Sequence, residues 1–298
     1  MNKETLCLVT GATGEVGREF VDQLAPDYPT VALARRPIAT FKNQPEEYQG
    51  GLDFMDAEGT KRAIGKIINA RRERISRIVL IHPVGNFKYE DRQAEEPWQM
   101  DPVVHDTNVT TFENVARALM EVDPEIAITM VMLASVTDQY DIPMFRSYRE
   151  ANAMQRALIR KWIRQKANTS GVSLDLGTID VKSENDLRPN ANRKFWLSAE
   201  ELVKQTCDPI MQTTPGKLTR VELLKAPAGI DPHKGYYPHL EKVMHNWQAG
   251  MSQKLGAPIP PEIASLPTEV RRVITAETIT PPQTQAPFQL GHPRFLLA

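Results

Sequence analysis

The chain has 298 residues, 41% hydrophobic and 24% charged, enough for one α/β domain with a sizeable core and an appendage. A formal net charge of −1 gives no global field toward nucleic acid or an acidic membrane, and no apolar run reaches the length of a membrane span. Met1-Asn2-Lys3-Glu4 leads straight into an apolar run with no room for a signal peptide; Cys7 and Cys207 form no metal-ligand spacing and are expected as free thiols of a reducing cytoplasm.

Leu6-Cys7-Leu8-Val9 is a run of the kind buried on both faces of a parallel sheet. Gly11, Gly14 and Gly17 follow at three-residue spacing, and Val16, Phe20, Val21 and Leu24 then fall on one helical face. Any tight turn before a helix can use glycines. Placed directly after a strand, they gather free backbone N–H groups and the positive end of a helix dipole at one point. That is an anion site suited to a dinucleotide pyrophosphate.

Pro29–Ala34 reads as the second strand and ends at Arg35 and Arg36, where a dinucleotide fold meets the adenosine ribose. A guanidinium fork there matches a 2′-phosphate, which favours NADP(H) over NAD(H); two solvated arginines would look the same in sequence. Gly51–Asp56 reads as the third strand and its exit. Asp56 is the N-cap of a helix from Ala57 to about Arg72, with Ala63, Ile64, Ile67 and Ile68 facing inward. Arg77–Ile81 is the fourth strand, followed by His82-Pro83-Val84-Gly85; His82 is either structural or placed near the reacting end of a cofactor.

Asn86–Met100 is charged and reads as a surface loop. A long helix begins at Pro102, and Asn108 inside it is a poor choice by propensity alone. Ile126–Leu133 is the most continuous apolar run and belongs near the sheet centre. Ser135 follows it and Tyr148 lies thirteen positions further on. Gln155–Ile163 carries an apolar stripe and a basic outer face, read as solvated. Val172–Gly177 is the sixth strand.

The polar stretch Lys182–Trp196 reads as a loop whose Phe195 and Trp196 either close over a ligand or pack on the core. Ser198 caps a helix to about Met211, with Glu200 and Glu201 in its first turn, and Leu218–Leu224 is the seventh strand. Beyond Lys225, Tyr237–Leu255 has helical periodicity, and from Ala257 the chain is Pro-rich. Such a tail would cross a neighbouring subunit, cover a substrate mouth or stay disordered.

Thr10-Gly11-Ala12-Thr13-Gly14-Glu15-Val16-Gly17 resembles the TGxxGxxG turn of the short-chain dehydrogenase/reductase superfamily, closer to its extended and atypical branches than to the short branch. Asn108, Ser135 and Tyr148 resemble the short branch in order and spacing. The resemblance spans roughly residues 3–225. It implies a Rossmann-type doubly wound parallel α/β sheet of about seven strands over 1–225; beyond it, periodicity and composition read as a C-terminal helix and Pro-rich extension over 226–298.

For the cofactor, the resemblance implies Thr10, Gly11, Thr13, Gly14, Glu15, Val16 and Gly17 at the pyrophosphate, and Arg35 and Arg36 at the ribose phosphate. Asp53 would meet the adenine amino group with Phe54 beside it. His82 and Gly85 would lie at the nicotinamide ribose, and Gly177 and Ile179 near the carboxamide. Only Gly85 is kept from the short branch's NNAG, and Leu176 replaces its usual Pro.

For the chemistry, Ser135 would orient a carbonyl, Tyr148 would donate the proton, and Asn108 would bend its helix and hold a relay water. The family's lysine, one helical turn after the tyrosine, binds the ribose and lowers the phenol's pKa; here that position is Asn152. An unassisted phenol has a pKa of ~10, so forming phenolate at pH 7 costs about 4 kcal/mol. Arg149 lies about 100° around the helix, which leaves His82 and Lys182 as substitutes to consider. Two functions follow as expectations. One is an NADPH-dependent reductase of a carbonyl or activated double bond in a small metabolite. The other is an NADP(H)-binding protein without redox turnover, a sensor or a non-redox catalyst. Dimers or tetramers are common among the proteins it resembles.

Overall fold

The computed structural model describes residues 4–88, 90, 98–121, 125–139, 145–187, 193–229 and 265–280. Eight strands form one sheet: β1 (Glu4–Val9), β2 (Thr30–Leu33), β3 (Glu47–Gln49), β4 (Ile75–His82), β5 (Ala127–Ser135), β6 (Thr169–Leu176), β7 (Lys217–Pro227) and β8 (Thr268–Thr278). Their order is β3-β2-β1-β4-β5-β6-β7-β8; the first seven run parallel and β8 is antiparallel to β7. The order reverses beside β1, with β2 on one flank and β4 on the other. A doubly wound sheet opens its ligand crevice at that point, beyond the carboxyl ends of the strands.

The two-residue period of each strand divides the core. Leu6 and Leu8 of β1, with Ile78 and Leu80 of β4, face one layer, built from α2 (Ala57–Asn69), α4 (Thr111–Met120) and α5 (Arg146–Gln165). Cys7, Val9, Val79 and Ile81 face the other, built from α1 (Glu15–Leu24) and α7 (Ala199–Gln212). Asp56 caps α2 by accepting from the Gly59 N–H at 2.9 Å, as the sequence leads one to expect. At α7 the Ser198 hydroxyl and the Glu201 carboxylate bond each other's backbone N–H groups, a reciprocal cap.

Three expected elements differ. Gly51–Asp56 is a turn, and the third strand is the earlier Glu47–Gln49, whose residues are all half-buried. As an outer strand it lacks the apolar run that marks its neighbours. Thr268–Thr278, expected within an extended tail, is the outer strand β8, and Lys182–Leu187, expected as loop, is a short helix, α6. Residues 188–192 and the periodic stretch 237–255 lie outside the described residues. Among the described residues, no helix is long and apolar enough to cross a membrane.

Candidate active site

Backbone geometry builds the first part of the site. Gly11 has φ +57°, a left-handed conformation, and a side chain there would begin 2.8 Å from Val84 Cγ2. A Cβ on Gly17 would lie 2.4 Å from the Gly11 carbonyl oxygen, so glycine is what lets α1 come down onto the turn. Gly14 caps α1 in an extended conformation, its N–H donating to Gly11 O at 2.9 Å, and it makes no side-chain capping bond to the helix start. The first-turn N–H groups of α1 are therefore available to an anion. Arg18, which the sequence reading passed over, holds its Nε buried and without a hydrogen-bond partner among the described residues. A cation near the positive end of a helix dipole was its one readable signal.

At the end of β2, Arg35 and Arg36 are exposed, and their carbonyls accept from the Gly51 N–H (3.2 Å) and the Tyr48 hydroxyl (2.5 Å). The loop at Gly50 packs tightly there, since a Cβ on Gly50 would fall 2.4 Å from Arg36 O. Asp53 is exposed, with Oδ1 accepting from the Met55 N–H at 3.0 Å. Phe54 is a core residue instead, buried against the His82 ring with 6.4 Å between centroids. Glu15 is exposed and its carboxylate accepts from the Lys182 N–H at 2.7 Å, tying the glycine turn to α6.

His82 ends β4 as a buried structural residue. Its Nδ1 lies 2.8 Å from Thr10 Oγ1 and its Nε2 3.1 Å from Thr111 Oγ1. Because the Thr111 hydroxyl donates to Thr107 O (2.6 Å), Nε2 is assigned the proton and Nδ1 accepts from Thr10. Burial pushes its pKa down to about 3. With both nitrogens engaged, the ring has nothing left for a substrate or for Tyr148.

Asn108 sits in a one-turn π-type widening, Asp106–Thr110, between α3 (Pro102–His105) and α4, so the helix is interrupted where the sequence leads one to expect a bend. Its side chain clamps the loop after β4: Oδ1 accepts from the Asn86 N–H at 2.6 Å and Nδ2 donates to Asn86 O at 3.0 Å. A Cβ on Gly85 would meet Asn108 Oδ1 at 3.2 Å. The Asn108 carbonyl is taken by Gln155 Nε2, leaving Gln155 Oε1 buried and without a partner among the described residues. That amide takes one of the two acceptor positions of the carbonyl.

Tyr148 and Asn152 lie one turn apart on α5, which sets the Asn152 amide beside the phenol. The Tyr148 ring meets Phe87 edge-on, with centroids 5.4 Å apart. Asn152 Nδ2 donates to Asp138 Oδ1 at 3.1 Å, and Arg156 Nη1 donates to Asp138 Oδ2 at 2.8 Å. Arg156, expected on a solvated face, has a side chain only 12% exposed. Burial and the Asp138 carboxylate push the phenol well above the usual tyrosine range, with Glu184 adding to the rise; Asn152 and Arg156 oppose it. Burial likewise raises Asp138, against the pull of Arg156 and Asn152.

Neither substitute cation considered for the missing lysine serves. The Lys182 ammonium is exposed and pairs with Asp186 at 2.5 Å, and His82 is sealed in the core. Ser135 closes β5, half-buried, in register with Leu176 of β6. The Gly177 N–H donates to Leu223 O at 2.9 Å, and Ile179 bridges in parallel to Leu197. Phe195 and Trp196 are buried at 3% and 4% exposure, with the Arg193 guanidinium 5.9 Å from the Trp196 ring and the Lys194 ammonium 5.8 Å from the Phe195 ring.

The fold is that of solved short-chain dehydrogenases and reductases. The chain is similar to an alcohol dehydrogenase from the archaeon Thermococcus sibiricus complexed with 5-hydroxy-NADP: 18% identity, TM-score 0.59, covering 74% of this chain and 97% of that one. It is similar to a short-chain dehydrogenase from Burkholderia cenocepacia in complex with NADP, with 14% identity, TM-score 0.58, and coverage of 86% and 99%. A variant of actinorhodin polyketide ketoreductase with NADPH aligns at 13% identity and TM-score 0.54, covering 70% and 92%. No protein-family model and no curated protein matches the chain.

Proposed function

We propose that this chain is an NADP(H)-dependent reductase acting on a carbonyl or activated double bond of a small metabolite. The observation that carries the reading is the placing of Tyr148 and Asn152 one turn apart on the helix that follows β5, in a fold that leaves the start of α1 open to a pyrophosphate. The residues fit the cofactor. The N–H groups of α1 and the unpartnered Arg18 Nε suit its diphosphate, and exposed Arg35 and Arg36 suit a 2′-phosphate. When bound, NADPH supplies a hydride to the substrate carbon. Ser135 holds the carbonyl oxygen, and Tyr148 gives its proton to that oxygen as the alkoxide forms. The phenolate left behind accepts the Asn152 N–H and recovers its proton from solvent.

The departure at Asn152 favours a second reading, an NADP(H)-binding sensor or non-redox catalyst. Without a neighbouring ammonium, phenolate is costly, and that cost falls hardest on alcohol oxidation, which starts from it. Stopped-flow absorbance of bound NADPH against a panel of carbonyl compounds separates the two. Oxidation that Tyr148→Phe slows ~100-fold or more, with NADPH affinity nearly unchanged, supports the reductase. Absence of oxidation across the panel supports the sensor.

A further inference from the structure

Tyr148, Asn152 and Arg156 follow one another at four-residue intervals, so helical geometry sets them along one face of α5. Asp138 lies across from them in the single turn Val136–Gln139 after β5, its side chain 2% exposed. The contacts then run from the half-buried phenol through the core to the surface. The phenol meets the Asn152 amide, whose Nδ2 donates to Asp138 Oδ1; Asp138 Oδ2 accepts from Arg156. Arg156 stands 3.8 Å from Asp175 Oδ1, and Asp175 accepts from the Ser173 hydroxyl at 2.7 Å and from Arg220, whose side chain reaches the surface.

Asp138 pairs with Arg156 and Asp175 with Arg220, yet the order matters. Counting outward from the phenol, the carboxylate comes before the guanidinium. A buried carboxylate within two hydrogen bonds of a hydroxyl holds that hydroxyl protonated, because the like-charged phenolate would repel it at low effective dielectric. The same carboxylate fixes the amide. With one Nδ2 hydrogen committed to Asp138, the other is left for the phenol oxygen, which gives Asn152 a defined orientation.

We propose that Asp138, anchored by Arg156, is the positioning residue that aims the Asn152 amide at the Tyr148 oxygen and opposes phenolate there. The site is then set for reduction, with an ion pair at the place where a lone cation would favour phenolate. This rests on the reading of Tyr148 as the acid. The charged groups facing the phenol are Asp138 from the turn after β5, Glu184 from α6 and Arg156 from α5; Asp175 of β6 acts on it through Arg156.

The test is a near-ultraviolet phenolate titration of the full-length apo protein, which reads Tyr148 without any turnover, as the difference between each protein and its Tyr148→Phe counterpart. In wild type, Tyr148 contributes no transition below pH ~11. Asp138→Asn removes the carboxylate and leaves the guanidinium, so one phenol's amplitude appears at least about one pH unit below wild type. Because that variant leaves the buried Arg156 with the more distant Asp175 at 3.8 Å, Asp138→Asn/Arg156→Gln is measured beside it. Its transition falls between Asp138→Asn and wild type, since the nearer charge outweighs the farther one. Coincidence of the double variant with wild type overturns the proposal, whether or not the single variant folds. Turnover surviving in Tyr148→Phe sinks the reading of Tyr148 as acid; the titration result stands or falls separately.

Discussion

At the glycine turn, the groups offered to a ligand are backbone N–H donors, fixed by approaches that only glycine allows, such as Gly17 against Gly11 O. Around Tyr148 the groups are side chains from the turn after β5, from α5, from β6 and from β7, and their charges cancel in pairs. The first region works by shape and is insensitive to distant residues. The second works by electrostatic balance, so one substitution in it redistributes charge across several elements. A chain can therefore keep the first region's pattern while changing the chemistry available at the second.

The largest effect is expected where shape decides. In Gly17→Ala, the added methyl meets a backbone carbonyl that cannot rotate away, so α1 must lift from the turn. A loss of stability of about 3 kcal/mol is expected, the upper part of the range for overpacking, together with loss of NADPH binding. Urea denaturation and a fluorescence titration with NADPH measure both. An unchanged affinity would mean that α1 does not meet the cofactor through this contact, and the contrast between the regions would lose its first half.

His82, bonded to Thr10 of the glycine turn, tests burial directly. It is neutral in the folded chain, with a pKa of about 3 against an ordinary value of 6.5. The depressed value means the unfolded chain takes the proton first. The stability that neutral His82 protects is full above pH 6.5 and is lost as pH falls from there toward 3. At pH 5 the loss amounts to about 2 kcal/mol relative to pH 7. Denaturation curves at the two pH values, for wild type and for His82→Gln, isolate it from other groups. Matching pH dependences in the two proteins would place His82 in contact with water.

The same contrast explains what sequence alone conveys. The glycine turn, the alternating strands, the Asp56 and Ser198 caps and the bend at Asn108 depend on residues a few positions apart, so their spacing is visible in the chain. The role of Arg156 is not. It sits in a basic run beside Arg160, Lys161 and Arg164, and only its meeting with Asp138, eighteen positions away, separates it from a solvated residue. Phe54 and Phe195 illustrate a related limit: aromatic type shows that a residue buries area, but not on which side of the strand end it does so. The outer strands β3 and β8 escape notice because each mixes apolar and polar residues without regard to face, as at the adjacent exposed Val273 and Ile274, and so shows no two-residue alternation.

The smallest expected effect concerns Arg35 and Arg36, and it asks whether the shape-built region also uses charge. Both guanidiniums are exposed at the end of β2, while their own carbonyls are held by Gly51 and Tyr48. Removing the side chains should leave the local backbone intact. A charge-assisted bond to a phosphate is worth about 1.5–3 kcal/mol where it is shielded, and solvent reduces that at an exposed site. Arg35→Ser/Arg36→Ser should therefore weaken NADPH binding by about tenfold, roughly 1.4 kcal/mol, and leave NADH binding unchanged. The wild-type preference should also shrink as salt is added, since exposed charges are screened over about 10 Å at 0.1 M. Equal losses for the two cofactors would assign the arginines to general attraction of anions; no loss for either would leave them as solvated ends of a strand, with Arg18 the remaining cation at the turn.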